Sequence, residues 1–458
     1  MNFMEKFNEL ANRTLVPIAN KLGNQRHLAA IRDGMVVAIP LSILGGVCLI
    51  ISTPPFKPDT LPNWGFISDL LLGWYNWAQA NKAMLQLPYN MTMALMGLFV
   101  AFAIAYHLAK RYKMPTLNTA IVSTAVFFIV TSPAVSAVPT SAISEGSNMT
   151  DLLGMAGNYI PMTFLDAKGI FTAIIVAIGC VEIMHFMLAK NIRFKMPEGV
   201  PPMVTKSFSS LIPMFLVGSL FLVIAYLFSL TSYGSLHSLI YTFIASPLQK
   251  VGGSFGGMIV FTLALHILWF FGIHGGNIVN SISNTFLLPL ALENLAVYQA
   301  GGTPEFIYTT AFKNTYQFGG AGMTISLCVL MIFVAKSQRY KALGKLALPA
   351  NIFYINEPII FGTPMVLNPT MIIPFILAPL VTQVLAYGLT VMGILPVLIG
   401  YQIPWSMPPI ISGFIQGGWQ VALYQVFSLF LTFLIYYPFF KVIDKQACLE
   451  EDAINIGK

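Results

Sequence analysis

Long apolar runs, separated by short polar stretches, repeat along almost the whole chain. The run from Gly34 to Ile51 is typical, because it shows no two-residue alternation of polar and apolar positions. A bilayer offers backbone amides no hydrogen-bond partner, so such runs predict transmembrane helices, whereas a barrel would need segments of alternating polarity. The chain is therefore predicted to be an all-α, polytopic membrane protein.

About ten spanning helices are expected. An amphipathic helix precedes them, because apolar residues recur at helical spacing between Phe3 and Leu22 with basic residues between them. The stretch 401–418 is apolar but interrupted by prolines and glycines, and we expect a broken segment there. The apolar segments long enough to span are 33–52, 87–108, 115–137, 169–188, 209–230, 256–271, 319–335, 371–392 and 421–440.

The composition agrees with a membrane environment. Hydrophobic residues make up 56% of the chain and charged residues 9%, against roughly a quarter charged in ordinary soluble domains. A net charge of +7 could suggest nucleic acid, but the basic residues form clusters beside apolar runs. This is the positive-inside pattern, so we expect these clusters and both termini in the cytoplasm, and no nucleic-acid partner. The clusters lie at 26–32, 110–113, 190–206, 336–345 and 441–445.

A polar stretch, 195–203, interrupts the apolar pattern near the middle of the chain. It is either an ordinary cytoplasmic loop or a hinge between an N-terminal scaffold and a C-terminal half that is richer in broken segments. The second interpretation predicts four regions. They are a cytoplasmic amphipathic helix at 1–32, a scaffold at 33–232, a substrate-transport domain at 233–440 and a cytoplasmic tail at 441–458.

The four cysteines carry no recognisable chemistry. Cys48, Cys180 and Cys328 lie inside apolar runs, Cys448 lies in the tail, and no short-spaced pair occurs. They are interpreted as packing residues, and we expect neither a metal site nor a cofactor.

Two segments of the second half, 271–284 and 351–364, are apolar yet rich in glycine, proline and polar residues. Broken helices free backbone amides and carbonyls, which at membrane depth is tolerated only against protein or a polar cavity. Transporters commonly build substrate sites in this way.

Glu357 is the most informative residue of these segments. A carboxylate in the bilayer costs about 2.5–3.5 kcal/mol on insertion scales, so it needs a partner or a function. It could be satisfied by helix amides, or it could accept a hydrogen bond from a sugar hydroxyl, with Asn356 beside it. His274 could be an ordinary core histidine, but Gly275, Gly276 and Asn277 surround it with accessible backbone and favour a functional role.

Two tryptophans lie beside these segments. Sugar rings pack their C–H groups on aromatic faces, so Trp405, within a broken backbone, is predicted to bind substrate. Trp269 precedes His274 by about one turn, and either substrate binding or anchoring at the membrane interface explains it. The other ionisable residues within helices, Glu182, His185 and His266, are assigned to structure.

These motifs carry a family resemblance. The run 356–364 (NEPIIFGTP) with Asn368-Pro369, the run 271–275 (FGIHG) and Pro404-Trp405 resemble the lactose, cellobiose and diacetylchitobiose family of phosphotransferase (PTS) enzyme IIC subunits, over nearly the whole chain. The resemblance implies a homodimer in the bacterial cytoplasmic membrane, with the dimer interface on the N-terminal helices. It also implies two re-entrant hairpins and a C-terminal half that carries sugar by an elevator mechanism.

The resemblance also assigns roles to residues. Glu357 and His274 would contact the sugar near the hydroxyl that is phosphorylated, as catalytic groups, and Asn356 and Trp405 would line the pocket. Met407 and Trp419 depart from the polar residues expected there.

The phosphoryl donor is expected to be a separate phosphorylated IIB protein. Cys448 is followed by Leu449-Glu450-Glu451 rather than by a glycine-rich phosphate loop. The permease would therefore position a disaccharide of the cellobiose or diacetylchitobiose type and present its 6-hydroxyl. A proton-coupled sugar transporter remains the alternative, and an intramembrane enzyme, which needs a nucleophile or metal motif, is the weaker rival.

Overall fold

The computed structural model describes residues 25–54, 58, 65–131, 135–137, 157–159, 162, 164–194, 208–363, 365–366 and 368–456. The amphipathic helix predicted within 1–24 and the polar stretch 195–203 lie outside the described residues. The chain divides into two compact units. One, here called the N-terminal unit, comprises Ala29–Ser42 and Asn90–Pro247, and the other, the C-terminal unit, comprises Met1–Leu28, Ile43–Tyr89 and Leu248–Lys458.

The described residues are almost entirely helical, which confirms the predicted class. The helices are α1 Arg26–Val37, α2 Ile39–Ser52, α3 Phe66–Ala80, α4 Lys82–Leu85, α5 Leu87–Met91, α6 Met96–Arg111, α7 Thr116–Thr131, α8 Ile170–Ala189, α9 Leu211–Ser229, α10 Leu236–Ile240, α11 Ser246–Gly252, α12 Phe255–Phe270, α13 Gly275–Gln299, α14 Thr310–Tyr316, α15 Ile325–Phe333, α16 Gln338–Ile352, α17 Glu357–Gly362, α18 Pro369–Val391 and α19 Ile411–Ile456.

Six helical stretches of the described chain are long and apolar enough to cross a bilayer. The bent pair Leu236–Gly252 and Phe255–Phe270, at 67° to one another, would make a seventh. Membrane-spanning helices are therefore confirmed, whereas the count of about ten stays a prediction. The six stretches are Arg26–Ser52, Lys82–Arg111, Ile170–Ala189, Leu211–Ser229, Thr370–Val391 and Ile411–Ala453.

The N-terminal unit is built on α6, α7 and α8, which pack on one another. Close approach of α1 to α6 depends on Gly34, because a Cβ there would lie 2.8 Å from the backbone nitrogen of Ile104. Small residues at helix contacts are the usual means of packing helices in a membrane, where lipid supplies little hydrophobic driving force.

The C-terminal unit packs α12 against α13 and α18, and α15 against α16 and α19. Its largest apolar core joins Trp269, Tyr340, Ile359, Phe375 and Tyr436, which come from five different helices. Segments far apart in the sequence therefore meet in this unit.

Several helix limits differ from the sequence prediction. Val135–Ala137, placed in a helix, pairs as a short antiparallel strand (β1) with Gly157–Tyr159 (β2). The helix predicted from residue 319 begins at Ile325, because the preceding glycines turn the chain. The last helix continues through the predicted tail to Ile456, with a break at Gly417 and Gly418. The sequence did not predict α3, α13 or α16.

Candidate functional site

The turn that carries His274 connects α12 to α13. Gly272 allows this turn because its φ is +74°, a conformation that favours glycine. His274 then caps α13, since its Nδ1 accepts a hydrogen bond from the backbone amide of Asn277 at 3.1 Å. With Nδ1 acting as an acceptor, a neutral ring carries its proton on Nε2. The His274 side chain is exposed at the surface of the chain, so Nε2 is a potential hydrogen-bond donor to a ligand.

The two glycines after His274 have different packing roles. A Cβ at Gly275 would lie 2.0 Å from the carbonyl oxygen of Leu265, so the start of α13 lies directly on the backbone of α12. A Cβ at Gly276 would lie 3.1 Å from Cε1 of His274, so a side chain at this position would crowd the imidazole. Asn277 is exposed and gives its backbone amide to the histidine cap.

Glu357 opens the short helix α17. Asn356 is the N-cap, and Glu357 lies in the first turn, where the free amides of a helix favour a negative charge. Its Oε2 atom is nevertheless buried and has no hydrogen-bond partner among the described residues. Oγ1 of Thr363, immediately after α17, is likewise buried without a hydrogen-bond partner among the described residues. Both atoms therefore have hydrogen-bonding capacity that the described residues do not use.

Asn356 is only 3% exposed, and its amide is largely committed to the protein. Nδ2 donates to the carbonyl oxygen of Ala321 at 2.6 Å and to Oγ1 of Thr324 at 3.0 Å. Asn356 therefore connects the start of α17 to the loop 319–324, in which Gly319, Gly320 and Gly322 all have positive φ.

His266 holds the same loop from α12. Its Nε2 accepts a hydrogen bond from the amide of Gly322 at 3.0 Å, and its Nδ1 donates to the carbonyl oxygen of Thr262 at 2.6 Å. Tyr436 donates to the carbonyl oxygen of Gly322 at 2.7 Å. Because His266 is fully buried with both nitrogens in use, its role is structural, as the sequence predicted.

Trp269 brings the two motifs together. Its ring centroid lies 4.5 Å from that of His274 and 6.5 Å from that of Phe361. Phe361 follows Glu357 by four residues and so shares its face of α17. The indole is 5% exposed inside the C-terminal unit, which argues against anchoring in the membrane interface. The turn also approaches the chain after α17, where a Cβ at Gly272 would lie 3.3 Å from Val366.

Trp405 lies on the irregular segment between α18 and α19 and does not share in this contact. It is 57% exposed. The segment itself is firmly held, since Tyr401 donates to the carbonyl oxygen of Thr53 at 2.6 Å and Gln416 donates to the carbonyl oxygen of Tyr401 at 2.6 Å. An exposed indole on an anchored backbone is available to a ligand.

Sequence reasoning missed Lys313, on α14. This lysine is only 6% exposed and donates to Oδ1 of Asn280 at 2.5 Å and to Oγ of Ser283 at 3.1 Å, both on α13. The salt bridges of the described residues do not include it. A basic residue inside an otherwise uncharged stretch, 306–335, was the signal that could have revealed it.

The N-terminal unit has a polar contact of its own. Tyr112 donates to Glu182 and stacks on His185 with ring centroids 4.0 Å apart. This agrees with the structural role predicted for both residues. In the part of the chain that the structure describes, no group of three or more His, Cys, Asp or Glu side chains could hold a metal ion.

Comparisons with known proteins show the family to which this chain belongs. The family described as "Phosphotransferase system, EIIC" matches residues 32–379. The chain is 37% identical to the lichenan permease IIC component of Bacillus subtilis (strain 168), across 99% of this chain and 97% of that protein. It is 36% identical to the PTS system cellobiose-specific EIIC component of Geobacillus stearothermophilus, across 98% and 97%.

A solved structure is similar as well. The crystal structure of the transporter ChbC, described as the IIC component from the N,N'-diacetylchitobiose-specific phosphotransferase system, superposes with a TM-score of 0.85 at 34% identity. The match covers 97% of this chain and 99% of that one.

Proposed function

Because the chain belongs to the phosphotransferase system EIIC family, we propose that it imports a disaccharide of the cellobiose or diacetylchitobiose type and presents its 6-hydroxyl to phosphorylated IIB. The protein is a membrane-embedded permease of this family. Relatives named for lichenan, for cellobiose and for N,N'-diacetylchitobiose support the substrate class.

The contact of Trp269 with both His274 and Phe361 is the observation that carries the proposal. It joins the two motifs that the sequence singled out, although more than 80 residues separate them. The indole is then in contact with the imidazole, and through Phe361 with the helix that carries the Glu357 carboxylate. This combination suits a sugar, which offers C–H faces and hydroxyl groups together.

Glu357 is proposed as the acceptor for the 6-hydroxyl proton. The sugar oxygen attacks the phosphorus of phosphocysteine on IIB, the S–P bond breaks, and the thiolate stays on IIB. The hydroxyl proton passes to the Glu357 carboxylate, which acts as general base. Because Oε2 has no partner among the described residues, it is free to accept this hydrogen bond.

His274 is proposed to orient the same hydroxyl. Its Nδ1 is held by the amide of Asn277, so Nε2–H would donate to the sugar oxygen while the sugar donates to Glu357. Fixed donors and acceptors of this kind accelerate transfer by positioning the nucleophile. Trp405 would pack on a sugar ring, and Asn356 would act on the pocket by holding the start of α17.

The remaining architecture is proposed from the family resemblance. It comprises about ten spanning helices, two re-entrant hairpins, a homodimer built on 33–232 and an elevator movement of 233–440 in the bacterial cytoplasmic membrane, with both termini cytoplasmic. The 67° bend between Leu236–Gly252 and α12 supports a broken or re-entrant segment. Impermeant labelling of Lys458→Cys, in a background without the four natural cysteines, should succeed only from the cytoplasmic side. Labelling from outside would reject the orientation.

Transport in proteoliposomes tests the function itself. With the permease alone, cellobiose should at most equilibrate, and a pH gradient should not concentrate it. Adding phosphorylated IIB inside should accumulate disaccharide 6-phosphate, because the new group carries about −1.5 to −2 charges and no longer fits beside the Glu357 carboxylate. Unphosphorylated IIB is the matched control.

The same assay distinguishes the rival. Uphill accumulation of unmodified sugar under a proton gradient, independent of IIB, would reject the proposal and favour a proton-coupled transporter. A binding panel of cellobiose, diacetylchitobiose and lactose then defines the substrate, and failure of all three to bind would reject the substrate class.

A further inference from the structure

Lys313 is a buried basic residue that the proposed chemistry does not use. The hydrogen bonds of the described residues give its ammonium group two neutral partners on α13, Asn280 and Ser283. A lysine removed from water loses several kcal/mol of solvation in principle, and neutral hydrogen bonds return only part of it. A group retained at this cost requires a reason beyond holding α14 to α13.

The bond to Lys313 determines which way the amide of Asn280 points. Lysine can only donate, so the amide oxygen must face Lys313 and the amide nitrogen must point away from it. Among the described residues Nδ2 of Asn280 has no acceptor. Without Lys313, the two ends of the amide could exchange at little cost.

The free amide nitrogen lies at the turn of His274. A Cβ at Gly276 would lie 3.6 Å from Nδ2 of Asn280 and 3.1 Å from Cε1 of His274. The amide and the imidazole therefore both lie beside Gly276, close enough that a side chain at this position would crowd the imidazole. His274 is exposed and Asn280 is partly exposed, so both groups can be approached by a ligand from the same side of the turn.

We propose that Asn280 donates a hydrogen bond to a substrate hydroxyl beside His274, and that Lys313 is the positioning residue that orients its amide. This inference rests on the proposed function, because it assigns a further polar contact within the same sugar site. Ser283 also accepts a hydrogen bond from Lys313, but it is fully buried one turn further along α13. It therefore has no direct part in binding.

A cycle between protein variants and sugar analogues tests the contact. Binding of cellobiose and its single-deoxy analogues to purified full-length protein is measured by titration calorimetry for the wild type, Asn280→Ala and Ser283→Ala. One analogue lacks the hydroxyl that Asn280 contacts, and the wild type should bind it about 2- to 12-fold more weakly than cellobiose, the range for one hydrogen bond. Asn280→Ala should bind this analogue and cellobiose equally well. Ser283→Ala should keep the wild-type ratio.

The positioning role has its own readout. Lys313→Met should weaken cellobiose binding by no more than Asn280→Ala does, because the freed amide can still turn its nitrogen toward the sugar, and the double variant should lose no more than Asn280→Ala alone. Additive losses would overturn the claim that Lys313 acts through Asn280. If Lys313→Met does not fold, Lys313→Gln replaces it, because a glutamine amide can accept as well as donate and so no longer imposes one orientation on the amide of Asn280. Normal sugar affinity in Asn280→Ala would overturn the proposal.

These outcomes are separable from failure of the function. Suppose that the wild type binds cellobiose and that Glu357→Gln weakens this binding. If each missing hydroxyl then lowers affinity by the same factor in Asn280→Ala as in the wild type, only the Asn280 contact is rejected. If the wild type binds neither cellobiose nor diacetylchitobiose, the proposed function fails and this inference fails with it.

Discussion

The side chain of Asn356 occupies the space above Gly320. A Cβ at Gly320 would lie 2.5 Å from Cγ of Asn356, while Nδ2 of that asparagine donates to Ala321 and Thr324 in the same loop. The helix that begins with Glu357 is therefore attached to the loop 319–324 by an interlock that tolerates no side chain at Gly320. The position of the Glu357 carboxylate depends on this loop as much as on α17.

The first prediction concerns Gly320→Ala. Alanine is strained at φ +78° and its methyl group meets the amide of Asn356, so we expect a lower melting temperature in detergent and a loss of more than about 1 kcal/mol of stability. Sugar affinity should fall with it. Gly388→Ala, in α18 with no atom within 4 Å of the added Cβ, is the matched control and should leave both unchanged or slightly raise stability. Equal behaviour of the two variants would contradict the interlock.

Glu357→Gln should weaken disaccharide binding by about 1.5–3 kcal/mol, the range for hydrogen bonds to charged groups, or roughly 10- to 150-fold. The reason is that the buried Oε2 becomes part of a neutral amide. Calorimetric titration with cellobiose and diacetylchitobiose measures the change, and phosphorylation by phospho-IIB should fall as well. Glu305→Gln, an exposed carboxylate of the same unit, serves as the control. Normal binding and phosphorylation by Glu357→Gln would show that the site is assigned wrongly.

The two tryptophans should respond differently to truncation. Trp269→Ala removes a buried ring that contacts both His274 and Phe361. It should lower the free energy of unfolding by about 3–5 kcal/mol, and it should also lower sugar affinity. Trp405→Ala removes an exposed ring and should reduce affinity alone. Trp77→Ala, with its side chain 51% exposed, is the comparison for an exposed tryptophan without an assigned role. An unchanged binding isotherm for Trp405→Ala would leave that residue without a function in the site.

Asp444 should stabilise the C-terminal unit by fixing the start of α16. Its carboxylate is 3% exposed and accepts hydrogen bonds from the amides of Lys336 and Ser337 at 2.9–3.1 Å, just before α16. Asp444→Ala leaves these amides unpaired, which should cost about 1–3 kcal/mol. Thermal unfolding in detergent measures the loss, and Asp452→Ala, an exposed acid on the same helix, is the control. Equal melting temperatures for the two variants would refute this role.

Much of the helical architecture followed from the sequence because apolar length is a local property. The segments predicted at 169–188, 209–230, 256–271 and 371–392 agree with α8, α9, α12 and α18 to within two residues at each end. The prediction at 319–335 began too early, since three glycines with positive φ turn the chain before α15. The basic stretch 336–345 was interpreted only as a charged cluster, yet Ser337 caps a helix there.

The sequence by itself also determined where to look for the site. Glu357 and His274 are costly in an apolar surrounding, and the glycines and prolines beside them end helices, so both signals are local. Only the tertiary structure decided what each polar group contacts. The amide of Asn356 faces the loop 319–324, and Lys313 finds Asn280 on another helix. The reason is that hydrogen-bond partners 30 or more residues apart are selected by helix packing, which no local pattern of residues encodes.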